Sequence, residues 1–282
     1  MTGGTRALAI TALSVAALGS PAPVRAAGPC PEVWEGAAGP LPGGVGPADF
    51  GTTPEACGSS DMSARVRGTL LVAPSMPDYF GSATGAVLLR MRKPIAASSW
   101  LSVAFDALTY RYVNNAGLAS SAFSLGPPTV AYHQGLSVSP ALAAAVHVRA
   151  LLPLDTARAN SIATGLEIGG SLRAPLAARW VLDGGAALAA PAEIGGGQVH
   201  ARFTPVALAE LWYAPRAPLA VAAGGMVEAQ IAPTVAVGTV VPRLAVRAAL
   251  RSRFWLAGLL EVPVAGSDRT DLVASLFLGY SP

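Results

Sequence analysis

Residues 141–151 have the sequence ALAAAVHVRAL, and the same pattern recurs along most of the chain. Leu142, Val146 and Val148 fall at every second position, whereas His147 and Arg149 lie between them. Because successive side chains of a β-strand point to opposite faces, this spacing predicts a strand with one apolar face and one charged face. About ten residues are also enough for a tilted strand to cross a bilayer.

Similar segments follow one another up to residue 281, separated by Gly, Pro, Asn, Asp and Ser. No window of about 20 residues has the clean apolar composition of a transmembrane helix, and the best candidate, Ala217 to Val241, contains Gly224, Gly225, Glu228 and Pro233. We therefore predict an all-β protein, an antiparallel up-and-down transmembrane β-barrel of about twelve strands. The strands are predicted at residues 63–73, 83–93, 99–112, 128–138, 141–151, 161–172, 177–188, 198–213, 217–230, 234–249, 252–262 and 271–281.

The connections between these strands fall into two length classes. The short ones, after strands 2, 4, 6, 8 and 10, lie at Lys93 to Ser98, Ser139 to Pro140, Arg173 to Leu176, Ala214 to Arg216 and Leu250 to Arg251. Longer ones lie at Asn114 to Pro127, Leu152 to Asn160, Ala189 to Gly197 and Pro263 to Thr270. Short inner turns and long outer loops are typical of such barrels, so both termini are predicted on the periplasmic side.

Charged residues inside the segments fall almost entirely on one parity. Leu166 and Ile168, for example, are predicted to face lipid and Glu167 to face the lumen. A charge on the lipid face near the membrane midplane costs about 2 to 4 kcal/mol, so membrane insertion would enforce this partition. A soluble β-sandwich would alternate as well, but it would place its charges outside.

Tryptophans occur at the polar ends of these segments, beside short turns that contain Pro or Arg. An indole ring is apolar while its N–H needs a hydrogen-bond partner, so the ring favours a membrane-water interface. We predict a periplasmic aromatic belt formed by Trp100, Trp180, Trp212, Tyr213, Trp255 and Tyr280.

The amino-terminal end predicts secretion. Residues 1–26 combine Arg6, an apolar stretch from Ala7 to Leu18 and a small-residue cleavage site at Ala26, as a signal peptide does. An apolar run of about 12 residues is too short to act as a membrane anchor. Cleavage would lower the formal net charge from +3 to +1. A charge this small is not typical of a protein that binds nucleic acid.

Residues 27–60 are predicted to form a Gly/Pro-rich extension that precedes the barrel at 61–282. Cys30 and Cys57 lie in this extension, and in an oxidising envelope compartment they are expected to form one disulfide. Two reduced, inert thiols are the alternative. Lipidation of Cys30 is disfavoured because Pro29 precedes it where a small residue is needed.

The predicted lumen carries two groups of charged side chains. A basic wall on strands 10, 11, 12, 1 and 2 would contain Arg65, Arg67, Arg90, Arg92, Arg247 and Arg253. The other side would carry Asp106, His147, Arg149, Glu167, Asp183, His200, Arg202 and Glu228. Two functions are open: a pore for small solutes with a transverse field across the channel, or a non-conducting structural or interaction barrel whose acids and bases pair and fill the lumen.

Together these features resemble bacterial outer-membrane β-barrel proteins of about twelve strands, including a closing strand with Leu272, Ala274, Leu276, Leu278 and Tyr280 at every second position. The resemblance is architectural and implies outer-membrane lipid and the outer-membrane assembly machinery as partners, with a small-molecule solute as a further one. It brings no functional motif, cofactor or metal. We expect no enzyme, because none of the three histidines has a serine two residues away and no metal-binding motif occurs.

Overall fold

A computed structural model describes residues 61–73, 80–115, 118–126, 128–139, 142–153, 161–177, 179–195, 198–216, 219–231, 236–251, 254–264 and 272–280. They form β1 (Asp61–Ala73), β2 (Phe80–Ala96), β3 (Ser99–Asn115), β4 (Leu118–Ser124), β5 (Thr129–Ser139), β6 (Leu142–Leu151), β7 (Ser161–Ala177), β8 (Trp180–Gly195), β9 (Gln198–Ala201), β10 (Thr204–Arg216), β11 (Leu219–Ile231), β12 (Ala236–Arg251), β13 (Phe254–Glu261) and β14 (Leu272–Tyr280). The predicted signal peptide and the Cys30–Cys57 disulfide lie outside these residues. No helix in the described residues is long and apolar enough to cross a membrane.

All strand pairings are antiparallel and belong to one sheet. Most consecutive strands pair as hairpins, but β4 does not pair with β5 nor β9 with β10; instead β3 pairs with β5 and β8 with β10. In addition, β1 pairs with β14. Two strands are short additions: β4 pairs with the far half of β3, and β9 pairs with the far end of β8. The other twelve strands each have a paired neighbour on both sides.

The antiparallel all-β prediction is confirmed, and the twelve long strands match the predicted segments in order. Several boundaries were wrong. The predicted turns at Ala214 to Arg216 and Leu250 to Arg251 lie at the ends of β10 and β12, β2 continues to Ala96, and the predicted strand 198–213 is divided between β9 and β10. The predicted loop at Asn114 to Pro127 contains β4, and the predicted loop at Ala189 to Gly197 is mostly the end of β8. The predicted turn at Arg173 to Leu176 lies inside β7, which continues to Ala177 although Pro175 falls in this stretch. These errors arise because turn-forming residue types do not end a strand when a neighbouring strand still supplies hydrogen bonds.

Burial follows the period of two along each long strand. On β6 the pattern alternates residue by residue, with Val146 and Val148 exposed and His147 and Arg149 buried. We call the buried side of the sheet its inner face and the other side its outer face. One β-bulge, at Ala107 opposite Val87 and Leu88, shifts the alternation on β3, so that Leu108 and Tyr110 are exposed.

The inner face of β8 and β10–β13 is apolar at two levels. One cluster, nearer the short turns, contains Val181, Trp212, Ala214, Ala220, Ala222, Ala245, Ala257 and Leu259. The other contains Val206, Leu208, Met226 and Val241. Along β10 the two clusters flank Glu210, which is 4% exposed. A layer of buried charge therefore lies between two apolar layers.

Candidate functional site

The layer of buried charge between the two apolar clusters is a row of residues that pair across successive ladders of the sheet. Arg173 on β7 lies opposite Asp183, Asp183 opposite Glu210, and Glu210 opposite Gly224. Gly224 lies opposite Arg243, which in turn lies opposite Glu261 on β13. We call these six residues the charged row. Its five charged members are 0–5% exposed.

Arg243 joins the carboxylates of two strands that are not both its neighbours. Its Nη1 lies 3.0 Å from Glu210 Oε1, and its Nε lies 3.1 Å from Glu261 Oε1. Glu261 is on the adjacent strand, but Glu210 is on β10, with all of β11 between them. The guanidinium must therefore reach across β11.

Gly224 supplies the space for this reach. A Cβ at position 224 would contact the carbonyl oxygen of Ala209 and would lie 2.8 Å from Glu210 Cα and 2.9 Å from Glu210 Cγ. No side chain can occupy that position without displacing β10. Glycine thus leaves the space through which the Glu210–Arg243 pair forms.

At the other end of the charged row, Arg173 holds Asp183 through two parallel contacts. Nε lies 2.7 Å from Oδ1 and Nη2 lies 2.6 Å from Oδ2. This bidentate geometry is the strongest form of a guanidinium–carboxylate pair. Asp183 and Glu210 face each other across one ladder, so their two negative charges repel. Each carboxylate also contacts an arginine of its own, and this attraction offsets the repulsion.

A second group of polar side chains lies on the inner face of β3 and β5–β7. Trp100, His133 and His147 are successive partners across two ladders and are all buried. The rings of Trp100 and His133 are stacked, with centroids 5.2 Å apart and an interplanar angle of 5°, and those of His133 and His147 are 5.3 Å apart. On the next strand, His147 lies opposite Gly169, where an added Cβ would lie 2.6 Å from His147 Cε1.

Hydrogen bonds and an ion pair connect this group to three further residues. Ser102 Oγ lies 2.8 Å from His133 Nε2, and His147 Nε2 lies 2.8 Å from Glu167 Oε1. Arg149 Nη1 lies 3.1 Å from the same carboxylate oxygen. We call these six residues the imidazole cluster: Trp100, Ser102, His133, His147, Arg149 and Glu167. It contains a buried serine–histidine contact that spacing in the sequence could not reveal.

The structure distributes the predicted lumen residues unevenly. His147, Arg149, Glu167, Asp183, Arg92 and Arg247 are buried on the inner face, and Glu228 is half-buried. His200 on β9 is exposed and Arg202 is partly exposed; His200 lies opposite Glu193, which shares its parity with the inner-face residues of β8, so its predicted inward direction is kept. These two residues lie where β9 and β10 meet, away from the packed interior. The side chains of Arg65, Arg67, Arg90, Asp106 and Arg253 lie outside the described part of the chain.

The predicted aromatic belt needs correction at two positions. Trp100 and Trp212 are 3% and 2% exposed and pack on the inner face. The period of two explains this, because Trp100 shares its parity with Ser102 and Trp212 shares its parity with Glu210. Trp180 is 40% exposed and contacts Tyr213 on the outer face, with ring centroids 4.6 Å apart. The side chains of Trp255 and Tyr280 are outside the described part.

Sequence reasoning missed three charged members of the charged row, Glu210, Arg243 and Arg173, whereas the period of two on the predicted strand 252–262 places Glu261 on the lumen side with Arg253. The parity of Arg202 and Arg247, both predicted to face the lumen, would have placed Glu210 and Arg243 on the inner face, whereas Arg173 was assigned to a turn. Their pairing across β11 depends on the register of three ladders, which no local pattern records. Among the described residues, no group of three or more His, Cys, Asp or Glu side chains could hold a metal ion.

Comparison with known proteins identifies the fold. No protein-family model matches the chain, and no curated protein matches it. Among solved structures, the COG4313 outer membrane channel from Pseudomonas putida F1 is similar at a TM-score of 0.65 and 13% identity, over 84% of this chain and 99% of that one. The β domain of the Bordetella autotransporter BrkA (0.53, 12%, 79% and 100%) and the translocator domain of the autotransporter NalP from Neisseria meningitidis (0.52, 10%, 79% and 88%) are also similar. The chain thus has the fold of bacterial outer-membrane β-barrels.

Proposed function

We propose that this chain is a closed β-barrel in the bacterial outer membrane and that it acts as a pore for small solutes. The observation that carries this proposal is the division between its faces: buried charges lie on the inner face, while aliphatic side chains such as Leu166, Ile168 and Val148 are 49–65% exposed on the outer face. In water such a surface would be an aggregation liability, whereas lipid would cover it. The likeness to a protein described as an outer membrane channel supports the proposal.

The spacing of outer aromatic residues fits a membrane. Phe203, just before β10, is 55% exposed, and Tyr213 lies ten residues further along the same outer side. Ten residues correspond to about 33 Å of strand, or about 25 Å of height at a tilt near 40°. That height is the usual size of the apolar band between two aromatic girdles. Tyr110 and Phe123, whose ring centroids are 4.8 Å apart, are a second exposed aromatic pair on the outer-loop side.

The packing of the inner face suggests where solutes would pass. On β5–β8 and β10–β13 the described interior is filled by the imidazole cluster, the charged row and the two apolar clusters. The sequence pattern places Arg65, Arg67 and Arg90 inward on β1 and β2, and the proposal takes the solute past these arginines. A path with guanidinium groups on one side would favour anions, because these groups stay protonated and raise the local anion concentration.

Conductance in planar bilayers tests this function. Wild-type channels are expected to prefer anions, and the double variant Arg67→Gln/Arg90→Gln should shift the reversal potential toward cations, with a smaller difference at high salt because of screening. A matched control is Lys93→Gln, which removes an exposed charge on the outer side of β2, opposite Leu101, and should leave selectivity unchanged.

A second function is supported by a specific observation. The described inner charges pair locally, as in Arg173–Asp183, and several are fully buried. If pairing and packing continue around the whole inner face, the barrel is a non-conducting structural or interaction protein. Wild-type protein that inserts into bilayers but shows no conductance, with or without added solutes, would reject the pore and favour this alternative.

A further inference from the structure

Two buried imidazole rings contact each other inside the imidazole cluster. His133 is 0% exposed and His147 is 3% exposed, and their ring centroids are 5.3 Å apart. Histidine is the side chain that ordinarily changes its charge between about pH 5 and pH 8. Two protonated rings at this separation would repel each other, in an interior that solvates charge poorly. The cluster can therefore respond to acid in a way that a cluster of arginines and carboxylates cannot.

The surroundings of the two rings differ. His147 Nε2 lies 2.8 Å from Glu167 Oε1, so a proton on His147 has a carboxylate beside it. His133 stacks on Trp100, and its Nε2 lies 2.8 Å from Ser102 Oγ. Neither Trp100 nor Ser102 brings a negative charge to His133. A proton is therefore accommodated at His147 and opposed at His133.

The charged groups on the surrounding strands reinforce this difference. On the inner face β3 and β6 flank β5, and β2, β7 and β8 follow on either side. Among the described side chains, the buried charges of these strands are Arg92, Arg149, Glu167, Arg173 and Asp183. Glu167 already contacts Arg149, and Asp183 is held by two nitrogens of Arg173. The side chains of Asp61, Arg90 and Asp106, at inward positions of β1–β3, lie outside the described part. A second imidazolium would thus join three guanidinium groups and two carboxylates that are already paired.

The His133 ring has room to move along its own strand. Ala131 and Gly135 occupy the inner positions two residues before and after it, and both are small and buried. Trp100, His147 and Ser102 hold the ring from the two neighbouring strands. The ring can therefore leave its place once these lateral contacts no longer favour it.

We infer that the imidazole cluster is an acid-sensitive switch on the inner face of the barrel. While His133 is neutral, its ring stays stacked on Trp100. When His147 is protonated beside Glu167, a further proton on His133 turns the His133 ring away from Trp100 and toward water in the lumen. This movement loosens the packing on β3 and β5–β7, so the barrel conducts more in acid. The change in conductance rests on the pore proposed above, whereas the ring movement needs only the barrel.

Nuclear magnetic resonance of the full-length protein in lipid nanodiscs, with ¹⁵N in the histidine and tryptophan rings, tests the ring movement. Between about pH 8 and about pH 5, the Trp100 indole signal should lose its ring-current shift in the same step in which His133 gains a proton. His133→Gln keeps an amide that can bond to Ser102 but gains no proton, so its Trp100 signal should not change with pH. His147→Gln removes the repelling charge and should reduce the change at Trp100. The matched control is His200→Gln, because His200 is the third histidine of the chain and is exposed on β9; this variant should respond as wild type does.

The outcomes separate this inference from the proposed function. A Trp100 signal that stays constant over this pH range, or that changes by the full amount in His133→Gln or His147→Gln, overturns the switch and leaves the pore proposal intact. In planar bilayers, wild-type conductance should rise on acidification and that of His133→Gln should not; an equal rise in both overturns the gating role. A Trp100 step in a barrel that conducts at neither pH supports the ring movement and rejects the pore.

Discussion

The charged row and the imidazole cluster pair their buried ionisable side chains in two different ways. Both bury ionisable side chains on the inner face of the same sheet. In the imidazole cluster, Arg149 and Glu167 are direct partners across one ladder. In the charged row, Arg243 reaches Glu210 across an intervening strand.

This difference changes what each group depends on. A pair across one ladder needs only the right register, which places two side chains about 5 Å apart. A pair across two ladders also needs an empty position between its members, which Gly224 provides. The charged row should therefore be more sensitive to small changes in the strand that it crosses.

The largest expected effect comes from removing the shared cation of the charged row. Arg243→Met leaves the buried carboxylates of Glu210 and Glu261 without their common arginine, which should lower the free energy of unfolding by about 3 to 5 kcal/mol. Urea-induced unfolding of the barrel in lipid vesicles measures this change. Adding Glu210→Gln and Glu261→Gln to Arg243→Met should restore much of the lost stability. If Arg243→Met alone unfolds at the wild-type urea concentration, the row does not stabilise the fold.

An intermediate effect is expected at the glycine that the pair crosses. Gly224→Ala places a Cβ against Ala209 and Glu210, so β10 or the Glu210 side chain must move, at a cost of about 1 to 3 kcal/mol. The adjacent Gly225→Ala is the matched control, because its Cβ would meet its nearest neighbour, the Val241 carbonyl oxygen, at an ordinary 3.6 Å. The temperature at which the folded form is lost on a seminative gel should fall for the first variant alone. Equal losses for the two alanines would contradict the role given to Gly224.

The smallest expected effect concerns the stacked rings of the imidazole cluster. Trp100→Leu removes an aromatic partner of His133 and should cost about 0.5 to 1.5 kcal/mol beyond the loss of buried area. Trp180→Leu serves as the comparison on the outer face, and its effect should depend on the lipid, whereas that of Trp100→Leu should not. Unfolding in vesicles of two acyl-chain lengths separates these cases. A lipid-dependent effect of Trp100→Leu would mean that the Trp100 ring contacts lipid, which would contradict its place on the inner face.

Individual residues show which side-chain positions could be predicted from the sequence. The period of two placed Glu167, His147 and Asp183 together on the inner side, and the structure buries all three. The same rule, applied to Trp100 and Trp212, would have removed them from the aromatic belt. They were assigned to it because position at a strand end was given more weight than parity. Arg173 was missed because Pro175 and its neighbours suggested a turn, while in the structure β7 continues beside β8 past this point.

The sequence by itself determined the strand order, the all-β class and the separation of charged from apolar faces. It could do so because these properties depend on local spacing along one strand and on the high cost of charge in an apolar environment. Only the tertiary structure decided which charges meet. Glu167 pairs with Arg149 and His147, and Arg243 joins Glu210 to Glu261, because strand register brings residues from distant parts of the chain to the same level. Register is a property of the whole set of ladders, in which each strand is held by two neighbours, and no single segment of the sequence contains it.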